Sequence, residues 1–85
     1  MNRNTILDLM RPILARQGKA TEFPETATLQ EVGFRSLDFS ELALRVETAA
    51  GKPLTFDASP MRAIRTVADM LDFLERSTLD ATPAN

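Results

Sequence analysis

Apolar residues recur at helical spacing in three stretches of this chain. In the first, Ile6, Leu9, Met10, Ile13 and Leu14 fall at i, i+3, i+4, i+7 and i+8 and mark one face of a helix. Thr5 is placed to cap it, with Asp8 at capping-box spacing. Pro12 removes a backbone donor and crowds the Asp8 carbonyl. The pattern therefore predicts either a kinked helix to about Gln17 or two short pieces, ended at Gly18. In the second stretch Ser36 is the best N-cap of the chain, and a helix follows from about Leu37 to Ala50. Its inward stripe is expected at Leu37, Leu42, Val46 and Ala49 or Ala50, with Asp38, Glu41, Arg45 and Glu47 solvated. Gly51 and Pro53 end it. The third stretch opens at Thr66-Val67-Ala68-Asp69, packs Val67, Met70, Leu71 and Leu74 with Phe73 beside them, and is expected to fray after about Arg76.

The connections are irregular. Lys19–Thr28 has no helical period and reads as a long loop pinned by Phe23. Thr28-Leu29-Gln30-Glu31-Val32 predicts a single helical turn, since Thr28 and Glu31 stand at capping-box spacing; Leu29 and Val32 face the core and Gly33 reverses the chain. After the Leu54-Thr55-Phe56 link, Asp57 or Ser59 can start a brief turn with Pro60 at its first helical position. No segment has a strand period. The expected fold is all-α: a small irregular bundle of three main helices plus short helical turns. One domain is expected over residues 1–76, with 77–85 a disordered tail.

Composition narrows the chemistry. The 85 residues contain no cysteine and no histidine, which removes disulfides, thiolate nucleophiles, the commonest general base and the commonest zinc ligand. Asp57, Asp69 and Asp72 do not form a metal-binding loop, so no metal is expected. Ten basic and twelve acidic residues, well mixed to a net charge of −2, speak against a nucleic-acid binder. No apolar run has the length of a membrane span, and Met1–Arg16 lacks the features of a signal peptide. A monomeric cytoplasmic domain is the plain expectation.

Ser36 is the residue with two readings. As an N-cap, its hydroxyl accepts from an orphan first-turn N–H. At the positive end of a helix dipole, it is equally placed to bear a phosphate-linked group. Phe34 and Phe39 flank it and read as core. Leu54, Met61, Ile64 and Val67 also read as core, with lining of an apolar channel as a second reading.

The ordered set Leu29-Gln30-Glu31-Val32-Gly33, Ser36-Leu37-Asp38 with Glu41-Leu42, Val46-Glu47 before Gly51, and Thr66-Val67-Ala68-Asp69 resembles the acyl carrier protein family. The resemblance spans about Thr5 to Glu75. It implies a 4′-phosphopantetheine arm, derived from coenzyme A, attached covalently to Ser36 and carrying acyl groups as thioesters on its thiol. It implies a non-catalytic carrier in fatty-acid or specialised acyl-chain biosynthesis. The implied partners are a phosphopantetheinyl transferase and acyl-transferring or acyl-activating enzymes, met through Leu37, Asp38, Glu41 and Glu47.

Two features depart from the family pattern. Arg35 stands where the family usually places an aspartate, and it is a candidate contact for the arm's phosphate. The helix after the serine is also less acidic than usual, which favours dedicated partners. The competing reading is a small helical protein-interaction domain in which Ser36 is only a cap. A helix-turn-helix DNA binder fits the helices but lacks a basic recognition face.

Overall fold

The computed structural model describes residues 1–51, 54 and 63–80, and these build an all-α bundle. Four helices occur among them: α1 Arg3–Arg16, α2 Leu29–Val32, α3 Ser36–Ala50 and α4 Val67–Asp80. No helix among the described residues is long and apolar enough to cross a membrane. The link around Pro53 and Thr55–Phe56, the turn at Pro60 and Met61 lie outside the described residues.

Helix α1 is central and packs against both α3 and α4. It runs unbroken through Pro12, so the two-piece alternative is set aside. It also starts earlier than its pattern suggested. Asn2, not Thr5, is the N-cap: its carboxamide oxygen accepts from Thr5 N–H at 2.9 Å and from the Thr5 hydroxyl at 3.0 Å. Ile6, Leu7, Met10, Ile13 and Leu14 are its buried face, with Leu9 packed half-buried against it. Its far end closes in a Schellman motif. Gly18 adopts φ 73°, Gly18 N–H donates to Ala15 O at 3.0 Å, and Lys19 N–H donates to Leu14 O at 3.0 Å.

Helix α3 buries Phe39, Leu42, Ala43 and Val46. Leu37 does not join them. It is 85 % exposed, because the stripe through Leu42 and Val46 includes Phe39 and Ala43 and leaves position 37 on the opposite side. Gly51 ends the helix at φ 75°.

Helices α2 and α4 start side by side and are capped alike. Thr28 Oγ1 accepts from Glu31 N–H at 3.0 Å while Glu31 accepts from Thr28 N–H at 2.8 Å. Thr66 Oγ1 accepts from Asp69 N–H at 3.1 Å while Asp69 accepts from Thr66 N–H at 3.1 Å. Thr28 and Thr66 form an isolated antiparallel bridge, and Leu29 N–H donates to Arg65 O at 2.9 Å. The two short-range signals thus join across a wide gap in sequence.

Helix α4 continues to Asp80, beyond the expected end near Arg76. Thr78 is buried and turns its hydroxyl back onto Leu74 O at 3.0 Å and Glu75 O at 2.9 Å, which satisfies it inside the last turns. Residues 81–85 of the expected tail lie outside the described residues. Arg3 ties this side together, pairing with Glu25 and Asp72 at 3.0 Å and with Glu75 at 3.3 Å. The loop after α1 is held as expected, with Phe23 packed partly buried against the core.

Candidate functional site

The chain between α2 and α3 is built to present Ser36. Gly33 at φ 82° closes α2 in a second Schellman motif: its N–H donates to Gln30 O at 3.1 Å and Phe34 N–H donates to Leu29 O at 2.9 Å. Phe34 is thereby driven into the core, while Arg35 and Ser36 emerge at the surface. Lys19 Nζ donates to the Gly33 carbonyl from behind.

The cap of α3 differs from expectation. Arg35 is the N-cap residue and Ser36 is already the first helical residue. Asp38, one turn on, accepts from Arg35 N–H at 2.9 Å. A carboxylate at this place suits the helix dipole and satisfies the N–H of the N-cap residue, whereas no side chain takes the cap bond expected of Ser36. The Ser36 hydroxyl makes no hydrogen bond among the described residues. The first intrahelical bond runs from Phe39 N–H to Arg35 O, so the N–H groups of Ser36, Leu37 and Asp38 lie outside that ladder. Ser36 and Arg35 border a pocket of about 160 Å³ whose other walls are Leu29, Phe34, Phe39 and Ile64. An exposed hydroxyl, a guanidinium, free N–H donors and an apolar recess are therefore adjacent.

The three acidic residues expected on the solvated side of α3 are all engaged. Asp38 is only 9 % exposed, and its second oxygen accepts from Gln17 Nε2 at 2.7 Å. Glu41 is clamped by Arg16 at 2.5 and 3.0 Å and by Arg45 at 3.0 Å. Glu47 accepts from Leu54 N–H at 2.7 Å and so secures the chain beyond the helix. The large apolar residues that α3 shows to solvent are Leu37 and Leu44, the latter 63 % exposed. They stand seven positions apart, which puts both on one face over two turns. Beside Leu44 runs an open groove of about 430 Å³ lined by Leu9, Glu41, Arg45, Thr48 and Ala49. No motif in the sequence marks Leu44, Gln17 or Lys19 as part of the site. The spacing of Leu44 from Leu37 could have flagged the first; nothing local flags the other two.

The guanidiniums of Arg16 and then Arg45 lower the pKa of Glu41 to about 2, from an ordinary 4.5. Hydrogen bonds from Thr28 lower Glu31, and those from Thr66 and Arg65 lower Asp69. A carboxylate depressed in the folded state adds stability that is complete above its unfolded pKa and is lost as pH falls through its folded pKa. Melting temperature should therefore hold above pH 5 and fall progressively toward pH 2. Glu41→Gln should flatten part of that fall. An unchanged acid limb in the Glu41→Gln melts would show that the clamp does not exist in solution.

No family model matches this chain, and no curated protein matches it. Its structure is similar to the crystal structure of an acyl carrier protein from Thermotoga maritima, with a TM-score of 0.69 and 24 % identity over 94 % of each chain. That likeness shows the fold: the bundle is acyl-carrier-like.

Proposed function

We propose that this protein is a carrier of acyl groups, bearing them as thioesters on a 4′-phosphopantetheine arm attached to Ser36. The observation that carries this reading is the Ser36 hydroxyl, exposed and unbonded at the first turn of α3 within an acyl-carrier-like fold. The residues present fit the group. Free N–H donors at the start of α3 and the adjacent Arg35 suit a phosphodiester, and the neighbouring recess of Leu29, Phe34, Phe39 and Ile64 suits the less polar chain beyond it.

In attachment, Ser36 Oγ forms a P–O bond to the pantetheine-side phosphorus of coenzyme A. The pyrophosphate bond breaks, adenosine 3′,5′-bisphosphate leaves, and the hydroxyl proton passes to a base of the transferase. The arm supplies a thiol that this chain, without cysteine, does not have. The protein itself holds, presents and is recognised; the chemistry on the cargo belongs to acyl-transferring or acyl-activating enzymes. Leu37 is the proposed partner contact with the greatest exposure, and Leu44 extends its face. Glu41, Glu47 and Asp38 support that face by fixing the helix. The 1–76 segment acts as one carrier-type unit, with α4 completing it to Asp80.

Intact-mass measurement after incubation with coenzyme A and a broad-specificity phosphopantetheinyl transferase tests the reading. One phosphopantetheine, mapped to the Ser36 peptide, is expected. Folded protein that gains no mass would return the chain to a helical interaction domain.

A further inference from the structure

We propose that Gln17 is a positioning residue for Ser36, acting through Asp38. The inference rests on the carrier reading and extends it to a residue on another helix. Gln17 is the C-cap of α1, placed by the Schellman turn at Gly18. Its carboxamide nitrogen donates to Ile13 O at 3.2 Å and to Asp38 Oδ1 at 2.7 Å. Both N–H groups of the amide are thereby used, and the side chain has one defined pose. Asp38 Oδ2 in turn accepts from Arg35 N–H at 2.9 Å.

The two oxygens of one buried carboxylate thus link the end of α1 to the backbone immediately before Ser36. Lys19, two residues beyond Gln17, holds the carbonyl of Gly33 at the other end of the same turn. The turn from Gly33 to Ser36 is anchored at both ends by the segment that closes α1. An exposed hydroxyl has no packing of its own to locate it. Its position follows from the backbone that carries it, and a displacement of about 1 Å at a reacting group can cost as much as a hundredfold in rate.

Gln17 is itself exposed, so removing its amide leaves the core intact. Gln17→Met keeps the length and deletes both donors. Two readouts are needed. Exchange of the Arg35 amide proton in the unmodified protein reports the link directly and does not depend on an arm. Steady-state transfer from coenzyme A by a phosphopantetheinyl transferase then separates kcat from KM.

In Gln17→Met the Arg35 amide should exchange about tenfold faster, and kcat should fall about tenfold with KM little changed. Arg35 exchange unaltered in Gln17→Met would overturn the link. Faster exchange with unaltered kcat would reduce Gln17 to a structural contact and overturn its positioning role. A wild-type protein that accepts no arm removes the carrier reading, and this role with it, whatever the exchange rates show.

Discussion

Ser36→Ala should accept no phosphopantetheine at all, yet melt within about 3 °C of the wild type. Both halves follow from one geometry. The hydroxyl is the only group at this position able to attack phosphorus, so its loss is complete rather than partial. It is also exposed and caps nothing, because Arg35 holds the N-cap position and Ser36 is already helical. Asp38→Ala should show the reverse balance. That variant leaves the Arg35 N–H and the Gln17 amide without their acceptor and should cost about 2 kcal/mol. Thermal melts and intact masses of the two variants, side by side, check the assignment. A large fall in the Ser36→Ala midpoint would restore Ser36 as the cap, and an arm on that variant would place attachment elsewhere.

The shift of the cap from Ser36 to Arg35 illustrates what one sequence can reveal at a helix start. A serine followed by a leucine and an aspartate offers two cap registers one residue apart. Local preference favours serine as the cap residue itself. The actual register is decided by Gly33 and Phe34: the Schellman turn and the burial of Phe34 bring Arg35, not Ser36, to the non-helical position. Where the signal is reciprocal and local, it is legible. The Thr28–Glu31 and Thr66–Asp69 boxes form as their spacing implies, and Gly33 and Gly51 end helices as expected. What spacing does not convey is that those two boxes lie against each other, or that Gln17 meets Asp38 across the bundle.

Charge was the least legible feature. Asp38, Glu41 and Glu47 share a helix and read as a solvated acidic side, but each has a partner supplied from elsewhere. Gln17 and Arg16 come from α1, and the Leu54 N–H comes from beyond Gly51. A carboxylate already bonded to two guanidiniums offers less to an incoming cation than a free one. Partner binding through α3 is therefore expected to rely on exposed apolar area more than on these acids, and so to weaken little with added salt.

Leu37 and Leu42 make the sharpest test of that face. Periodicity placed both inward, yet Leu42 has no exposed surface and Leu37 is 85 % exposed. Leu42→Ala removes side-chain atoms from the packed centre of the bundle, between α1 and α3, and should cost about 3 kcal/mol. In a domain of this size that lowers the midpoint by more than about 10 °C. Leu37→Ala removes atoms that touch water and should change stability by no more than about 0.5 kcal/mol. Function should separate them the other way. If Leu37 is buried by the transferase on docking, its loss removes about 1.4 kcal/mol of binding, and KM for arm transfer rises about tenfold with kcat retained. Leu42→Ala, assayed below its own midpoint, should keep a near-native KM because its exposed face is intact. Added salt should move the wild-type KM far less than Leu37→Ala does. A Leu37→Ala protein that melts and reacts like the wild type would leave α3 without an apolar docking face.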